Sequence, residues 1–335
     1  MTEPQVSVLM AVRNEEQFLP AALLSLQRQT LHDWELVVVD DGSCDRTPDI
    51  LATSAQEDQR IRILSQSAEG LVSALNGGLQ ACRAPLVARM DGDDICHPRR
   101  LENQLQRFHD DPSVDLVACA VRHFPRGQIH DGMLNYETWQ NGLQEHCDIL
   151  RNLFVESPFA HPSVIYRRSQ VLAAGGYLER PWAEDYDLWL RLAERRIRFA
   201  SLAETLLYWR DRPRRLTRTA ANCTLAAFRS CKAHYLRRGY LRNLDEITLW
   251  GAGHEGKAWR KVLLREGVRV NRWIDVDPRK IGQRIHGAEV FPPDILQQDP
   301  APTLITVGAR GARVRIREWA HHAGLTEGSD FICVT

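Results

Sequence analysis

The stretch Ala84-Pro85-Leu86-Val87-Ala88-Arg89-Met90-Asp91-Gly92-Asp93-Asp94 decides how the first part of this chain folds. Leu86 to Ala88 is a short apolar run, as expected of a strand buried on both faces. Three carboxylates, those of Asp91, Asp93 and Asp94, follow that strand and lie within four consecutive positions, 91–94. Like charges this close raise one another's pKa, so the sequence predicts a source of positive charge nearby.

Strand-like and helix-like segments alternate along the first 90 residues. The predicted helices include 47–55 and 71–82, the second with an interruption at Asn76-Gly77-Gly78. Four such alternations predict an α/β fold built on a parallel sheet. The apolar runs that predict its strands lie at 6–12, 36–39, 61–64 and 86–88.

Polar residues follow three of these strands, as Arg13-Asn14-Glu15, Asp40-Asp41 and Asp91 to Asp94. Ligands of open α/β sheets bind just beyond the carboxyl ends of the strands, so we expect these residues to converge on one crevice. Carboxylate oxygens suit Mg²⁺ or Mn²⁺, and Mg²⁺ commonly bridges carboxylates to phosphate oxygens. A divalent cation would therefore supply the missing positive charge. The alternative for Asp91 to Asp94 is a solvated turn, where Asp and Gly are common.

The composition argues against several classes of protein. The length of 335 residues suggests about two domains, and 43 basic residues balance 43 acidic ones, so no nucleic-acid partner is expected. The eight cysteines form no C-x-x-C pair, which argues against a zinc ribbon or a thioredoxin-type site. We find neither a signal peptide nor an apolar stretch of membrane-spanning length. We expect a cytoplasmic protein, with peripheral contact at the inner face of the membrane left open.

A glycine motif marks the last third of the chain. Gly251-x-Gly253-x-x-Gly256 follows a predicted strand and opens a predicted helix, and Asp275 lies 24 residues after Gly251. This is the context of a dinucleotide-binding fingerprint. Residues 250–292 also resemble the Rossmann-like nucleotide-sugar-binding domains that precede some sugar acetyltransferases.

We place a domain boundary near residue 240, just after a helical pattern over 217–238. The first domain then covers 1–240, and a small Rossmann-like α/β domain covers 241–335. Two interpretations of the second domain stay open. One is a second nucleotide site at Gly251, Gly253, Gly256 and Asp275, and the other is a structural domain that docks a partner protein.

Three segments resemble successive motifs of the inverting family 2 glycosyltransferases, which have the GT-A fold. They are Val6 to Thr30, Trp34 to Asp45 and Gly70 to Arg100, in the order and spacing of that family. The resemblance covers roughly residues 5–215. It implies a GT-A nucleotide-diphospho-sugar transferase fold and a UDP-, GDP- or dTDP-sugar donor.

The same resemblance implies roles for individual residues. Asp91 and Asp93 match the Asp-x-Asp motif, which meets the ribose, the metal ion and the diphosphate. Asp41, with Asp40 beside it, would contact the nucleotide base. The predicted nucleotide-sugar-binding residues are Arg13, Asn14, Glu15, Asp40, Asp41, Asn76, Asp91, His161 and Glu184, and the predicted ligands of Mg²⁺ or Mn²⁺ are Asp91, Asp93 and Asp94. Which of Asp93 and Asp94 is the main metal ligand stays open, and a structural hydrogen-bonding role is the alternative for His161.

An inverting transfer also needs a base for the acceptor hydroxyl. The resemblance places that base at Asp185, about 90 residues after the Asp-x-Asp motif. Read as a helix, the stretch aligns Glu184 with Asp187 and Arg191 on a polar face. We therefore expect Glu184 to face water and Asp185 to point inward. The alternative for Asp185 is an acid that only caps the helix.

One segment departs from the family. Many relatives carry a histidine in a Tyr-Arg-x-His stretch after the base helix, and here Asp211 stands at that position. Guanidinium groups suit phosphate oxygens, so nearby arginines are candidates to bind the diphosphate instead. These arginines are Arg210, Arg212, Arg214 and Arg215. The alternative is a solvated basic loop.

The sequence thus predicts a metal-dependent inverting glycosyltransferase whose acceptor is a glycan, a glycolipid or a small molecule. One alternative is a nucleotidyltransferase that makes nucleotide sugars. Such enzymes usually carry a glycine-rich loop after the first strand, whereas residues 11–16 contain no glycine. The other alternative is a non-catalytic nucleotide-sugar-binding protein, against which the presence of Asp185 argues.

Overall fold

The structure is a computed structural model that describes residues 3–212 and 220–335. The chain forms two compact units. Unit 1 comprises Met1–Ile149, Pro158–Arg180 and Glu184–Thr219, and unit 2 comprises Leu150–Ser157, Pro181–Ala183 and Ala220–Thr335. This division differs from the predicted boundary near residue 240, because the helix over Leu225–Arg238 packs with unit 2.

Unit 1 is built on one eight-stranded sheet with the order β3-β2-β1-β4-β7-β6-β8-β5. Its strands are β1 Val6–Val12, β2 Trp34–Asp41, β3 Ile61–Gln66, β4 Leu86–Asp91, β5 Ile95–Cys96, β6 Leu116–Phe124, β7 Ile165–Arg167 and β8 Phe199–Arg210. Its helices are α1 Leu19–Gln27, α2 Thr47–Glu57, α3 Leu71–Ala81, α4 Arg100–Asp110, α5 Asp131–Asn141, α6 His146–Asn152, which continues into unit 2, α7 Arg168–Ala173 and α8 Glu184–Glu194. The predicted α/β fold is confirmed. The first four strands are parallel, whereas antiparallel pairs at β7 and β5 make the sheet mixed.

The strand register explains why the polar loops converge. On β1, Ala11 is paired with Val39 of β2 on one side and with Asp91 of β4 on the other. The chain leaves β1 towards β2 and β3 and later returns on the other side through β4. Such a switch point opens a crevice beyond the strand ends. The loops after β1, β2 and β4 therefore meet at one edge.

Helix α3 runs without a break through Asn76-Gly77-Gly78, so the predicted interruption is wrong. The glycine is explained by packing rather than by a turn. A Cβ on Gly78 would lie 2.3 Å from Leu9 Cδ1 and 2.9 Å from Val39 Cγ2. Gly78 thus lets α3 approach the sheet closely, while a Cβ on Gly77 would meet only Gln66 Oε1, at 3.9 Å.

We expect Gly78→Ala to be less stable than Gly77→Ala by about 1–3 kcal/mol, the usual cost of overpacking a core. Both variants gain the same helix propensity, about 1 kcal/mol. The difference between their free energies of unfolding therefore isolates the clash with Leu9 and Val39. Urea unfolding of the two variants measures it. Equal midpoints for both would contradict the close approach of α3 to the sheet.

Unit 2 carries a six-stranded sheet with the order β11-β12-β10-β9-β13-β14, in which only the β11–β12 pair is antiparallel. Its strands are β9 Glu246–Trp250, β10 Arg269–Ile274, β11 Arg284–Ile285, β12 Ala288–Phe291, β13 Thr303–Ile305 and β14 Phe331–Cys333. Its helices are α9 Leu225–Arg238, α10 His254–Arg265, α11 Ile295–Gln298 and α12 Ala312–His322. Unit 2 is therefore also α/β, and its Rossmann-like character stays a prediction.

The helices of both units are short. The longest of those described, α9, has 14 residues. A helix needs about 20 residues to cross a bilayer. Within 3–212 and 220–335, no helix is both long and apolar enough to span one.

Candidate active site

Three carboxylates form a compact cluster where β4 ends. Asp91, Asp93 and Asp94 each offer an oxygen, and these three atoms lie within 4.8 Å of one another. The Asp91 side chain is 29% exposed, whereas Asp93 and Asp94 are buried. A set of carboxylate oxygens with one open side fits a hard divalent cation such as Mg²⁺ or Mn²⁺.

The protein itself supplies positive charge to this cluster. Arg89 Nη2 lies 2.6 Å from Asp91 Oδ1, and Arg212 Nε lies 2.9 Å from Asp93 Oδ2. The backbone N–H of Arg210 donates to Asp94 Oδ1 at 2.7 Å. Each predicted metal ligand therefore already has a donor from the chain. The positive charge that the sequence predicts near these acids therefore comes in part from arginines of the chain, and not from a divalent cation alone.

The segment that leaves β8 brings two of these arginines to the cluster. Arg210 Nε donates to the carbonyl oxygen of Asp93 at 2.7 Å, and its guanidinium lies 4.4 Å from the ring centroids of both Phe18 and Phe124. Arg212 also binds Glu15 through two nitrogens, one of them 3.0 Å from Glu15 Oε2. Arg212 thus joins the loop after β1 to the acids after β4.

The remaining arginine candidates differ. Arg214 and Arg215 lie outside the described residues. Asp211, which replaces the family histidine, is buried, and its backbone N–H donates to the carbonyl oxygen of Phe124 at 2.9 Å.

The loops after β1 and β2 are tied together. Asn14 has a positive φ of 55°, its backbone N–H donates to Ser43 Oγ at 2.9 Å, and its Oδ1 accepts from Cys44 N at 2.8 Å. Asp40 Oδ1 accepts from the Ser43 N–H at 3.1 Å. These bonds bring the predicted base-binding and ribose-binding loops to one edge of the sheet.

Asp41 is fixed from a third loop. Its Oδ1 accepts from Gln66 Nε2 at 2.7 Å and from the Glu69 N–H at 2.8 Å. The half-exposed Arg13 approaches Asp41 Oδ2 only to 4.0 Å. The carboxylate is therefore held in place, while the Arg13 guanidinium stays accessible.

The acids of α8 differ from the prediction. Asp187 is fully buried and Arg191 Nε lies 2.7 Å from its Oδ2, so the expected polar face is not solvated. Arg191 makes this possible because it also donates to the carbonyl oxygens of Ala174 and Gly176, at 2.7 and 2.8 Å. The expectation that Glu184 faces water is likewise wrong, since its side chain is only 15% exposed.

Asp185 is half-buried, and its Oδ1 accepts a 2.6 Å hydrogen bond from the Tyr186 N–H. Burial, reinforced by the neighbouring Glu184 carboxylate, raises the pKa of Asp185 to about 7. Burial also raises the pKa of Glu184. No guanidinium or ammonium group of the described residues forms an ion pair with Asp185. This carboxyl group can therefore exchange a proton near neutral pH.

A buried polar group lies beside Glu184. His161 Nε2 is 3.0 Å from the Tyr177 hydroxyl, and its Nδ1 is 3.8 Å from Glu184 Oε1. Burial, with the positive charge of Arg89, holds the pKa of His161 well below its usual value, so the ring is neutral. The side-chain amide of Asn76 bonds both backbone polar groups of Tyr177, at 2.8 and 2.9 Å. Asn76 thus positions Tyr177 in this structure.

The predicted second site has the glycine geometry of its motif. Gly251 has a φ of 120°, a Cβ on Gly256 would lie 1.9 Å from the Gly251 carbonyl oxygen, and a Cβ on Gly253 would meet nothing within 4 Å. Asp275 Oδ2 accepts from the Ala252 N–H at 3.0 Å and lies 2.7 Å from Lys280 Nζ. The structure brings the four predicted residues together, and nucleotide binding there stays a prediction.

The family model for glycosyl transferase family 2 matches residues 7–173. The chain is 34% identical over 204 residues to the amylovoran biosynthesis glycosyltransferase AmsE of Erwinia amylovora. The aligned region covers 60% of this chain and 74% of that protein. The chain belongs to glycosyl transferase family 2. This glycosyltransferase is therefore not a nucleotidyltransferase that makes nucleotide sugars, the first alternative above.

Two solved structures share its fold. One is S. aureus TarS 1–349 in complex with UDP-GlcNAc, with a TM-score of 0.57 at 17% identity over 78% of this chain and 72% of that one. The other is the mannosyltransferase PcManGT from Pyrobaculum calidifontis in complex with GDP-Man and Mn²⁺, with a TM-score of 0.53 at 19% identity over 80% of this chain and 70% of that one. The predicted GT-A fold is confirmed.

Two side chains of the site were missed by sequence reasoning. Arg89 lies two residues before Asp91, and its position on the same strand face as Asp91 was the available signal. Tyr177 is placed by Asn76, 101 residues earlier, so no local pattern points to it.

We expect Arg191→Met to lower the free energy of unfolding by about 3–5 kcal/mol, because it leaves the buried Asp187 carboxylate unpaired. Arg99→Met is the matched control, since Arg99 is exposed and 3.7 Å from Glu102. That change should cost less than about 1 kcal/mol. Urea unfolding measures both. A similar loss in the two variants would contradict the role of Arg191 in fixing α8.

Proposed function

We propose that this glycosyltransferase moves a sugar from a nucleotide-diphosphate donor to an acceptor hydroxyl with inversion of configuration. The observation that carries the proposal is Asp185, a half-buried acid whose pKa of about 7 suits a general base. The acid cluster at Asp91, Asp93 and Asp94 supports it from the donor side.

On the donor side, Asp91, Asp93 and Asp94 would hold Mg²⁺ or Mn²⁺. When bound, such an ion stabilises negative charge on the leaving diphosphate. Arg210 and Arg212, already at the cluster, would bind the phosphate oxygens. The residues assigned to the nucleotide and the sugar are Arg13, Asn14, Glu15, Asp40, Asp41, Asn76, His161 and Glu184.

The reaction is a single displacement. Asp185 takes the proton of the acceptor hydroxyl as its oxygen bonds to the anomeric carbon, and the bond from that carbon to the diphosphate oxygen breaks. The nucleoside diphosphate leaves with the electron pair of the broken bond, and no covalent sugar–enzyme intermediate forms. Because attack is from the opposite face, the anomeric configuration inverts.

The donor and the acceptor are named only by class. TarS was solved with UDP-GlcNAc and PcManGT with GDP-Man, and we propose a UDP-, GDP- or dTDP-sugar donor for this chain. AmsE is named for amylovoran biosynthesis. By that likeness we propose a glycan or glycolipid hydroxyl as the acceptor, reached by peripheral contact at the inner face of the membrane.

Replacing Asp185 with Asn tests the base. We expect turnover to fall by roughly 10²–10⁴-fold, with the affinity for the donor unchanged. In the unsubstituted enzyme, kcat/KM should fall as the pH drops through about 7, because the Asp185 carboxylate becomes protonated. The variant should lack this fall. Asp110→Asn, at the exposed end of α4, is the control and should behave as the unsubstituted enzyme. Full turnover in Asp185→Asn would refute the assignment of Asp185 as the base.

Thermal shift of the full chain tests donor and metal binding. UDP-GlcNAc or GDP-mannose should raise the melting temperature only with Mn²⁺ present. At a donor concentration of 100 times the Kd, the folded state should gain roughly 2.7 kcal/mol of stability. Asp93→Asn and Asp94→Asn should lose the metal-dependent part. Asp275→Asn, at the end of β10, is the matched control and should keep it. Stabilisation that needs no cation, or that Asp275→Asn abolishes, would contradict the proposed site.

A further inference from the structure

Helix α10 of unit 2 presents a row of basic side chains to solvent. Its buried side, with Trp259 and Leu263, packs in the core of unit 2. Glu255, the one acid in the sequence of α10, is turned away from the exposed side and lies 2.7 Å from Arg229 of α9. We define the basic face of α10 as four exposed residues and the half-buried Arg260 at their border; the exposed residues are Lys257, Lys261, Leu264 and Arg265.

The stability of the helix does not account for this basic face. Within the described parts of the chain, none of its four cations forms an ion pair. Lys257, Lys261 and Arg265 follow one another at intervals of four residues, a spacing at which like charges destabilise a helix. Lys257 also lies in the first turn of α10, where the helix dipole disfavours a cation. A negatively charged partner would explain these charges.

The distribution of charge over the chain agrees with such a partner. The whole sequence balances 43 basic against 43 acidic residues, whereas unit 2 holds 19 basic residues against 13 acidic ones. The exposed side of α12 carries Glu318 as well as Arg315, so its charges partly cancel. The basic face of α10 includes no acid. An anionic surface would therefore be attracted to unit 2, and to α10 more than to α12.

A cavity of about 370 Å³ lies beside the carboxyl-terminal half of the basic face. Glu246, the acid among its described lining residues, lies 2.7 Å from Arg269 and accepts from Asn271 Nδ2 at 3.0 Å. The charge of Glu246 is thus offset, and that of Arg260 stays available. The lining combines cationic and polar groups with apolar side chains, which suits a phosphate group that carries an apolar chain. It includes Arg260, Leu264, Arg269, Val270, His286 and Ala288.

We propose that the basic face of α10, with this cavity, docks unit 2 on a membrane surface that contains anionic phospholipid. Lys261 and Arg265 meet the lipid phosphates. Leu264, which is 51% exposed between them, enters the headgroup region. A nucleic acid would also attract the cations, but its phosphate backbone offers nothing apolar to Leu264, so the exposed leucine favours lipid. This inference rests on the membrane contact proposed above and names the surface that makes it.

Flotation of the full chain with lipid vesicles tests the proposal. Vesicles of phosphatidylcholine alone are compared with vesicles in which about a third of the lipid is phosphatidylglycerol, an anionic lipid. The double variant Lys261→Gln/Arg265→Gln removes charge from the basic face, and Leu264→Gln removes its apolar side chain. All three positions are exposed, so the variants should fold, and their melting temperatures check this.

Matched controls are placed at and just before α12. They are Arg310→Gln/Arg315→Gln for the charges and Val314→Gln for the leucine, all at exposed positions. The chain crosses from β9 to β10 and from β13 to β14 in opposite directions along the sheet. Because such crossovers are right-handed, α10 and α12 lie on opposite faces of this sheet.

We expect the unsubstituted chain to float with the anionic vesicles and to stay behind with phosphatidylcholine alone. Lys261→Gln/Arg265→Gln should weaken binding by roughly tenfold or more, and Leu264→Gln should weaken it several-fold. The α12 variants should bind as the unsubstituted chain does, and added salt should release it. Equal binding to both kinds of vesicle, or an equal loss in the α12 variants, would overturn the proposal.

A duplex oligonucleotide provides a second probe of the same surface. We expect it to bind weakly, with no effect of Leu264→Gln. Tight binding of the oligonucleotide, lost in Lys261→Gln/Arg265→Gln, together with no binding to anionic vesicles, would assign the face to nucleic acid and overturn the proposal. Vesicle binding needs neither donor nor turnover. Its absence would therefore leave the transfer reaction untouched, and full turnover in Asp185→Asn would refute only the role of the base.

Discussion

Repulsion among the carboxylates at the end of β4 is the constraint on which the rest of the site depends. Three acids place ligand atoms within 4.8 Å of one another, and like charges at such distances disfavour ionisation. Three arginines contact these acids and offset their negative charge. They are Arg89 on β4 itself, and Arg210 and Arg212 at and just after the end of β8. The pairing of β8 with β6 and β5 holds the strand end from which Arg210 and Arg212 reach the acids. A metal ion bound there would meet a cluster whose charge is already partly offset.

The sequence predicts the part of the fold that local patterns encode. The apolar runs of β1 to β4 each end in polar residues, so both the strands and their shared edge could be read from the chain. Pairing between distant segments leaves no such pattern: nothing near Arg210 or Arg212 shows that β8 delivers them to acids 116 or more residues earlier. Gly78 and Asp187 were misread for the same reason. Their surroundings are set by Leu9 and by the backbone at Ala174 and Gly176, which helical spacing does not reveal.

Packing explains part of the glycine motif in unit 2. Gly256 lets the first turn of α10 approach the Gly251 carbonyl, and Gly251 adopts a positive φ that favours glycine. Both would be needed with or without a ligand. Gly253 is different, because a side chain there would meet nothing, so only this glycine leaves room for a bound phosphate. Lys280 forms an ion pair with Asp275. A ribose hydroxyl that bound the Asp275 carboxylate would compete with Lys280 for it. The motif therefore favours a nucleotide only through Gly253.

The first turn of α8 shows why contact and distance matter for a base. Asp187 is fully buried and in direct contact with Arg191, and this pair fixes the helix. Glu184 lies beside a neutral histidine that leaves its charge in place. Asp185 accepts only a backbone hydrogen bond among the described residues, so no cation holds it in one protonation state. A base must be ionised when the acceptor binds, and its proton affinity must still be high enough to accept the proton of the acceptor hydroxyl. Of the three acids, Asp185 has the pKa of about 7 and no ion-pair partner among the described residues, and we propose it as the base on that ground.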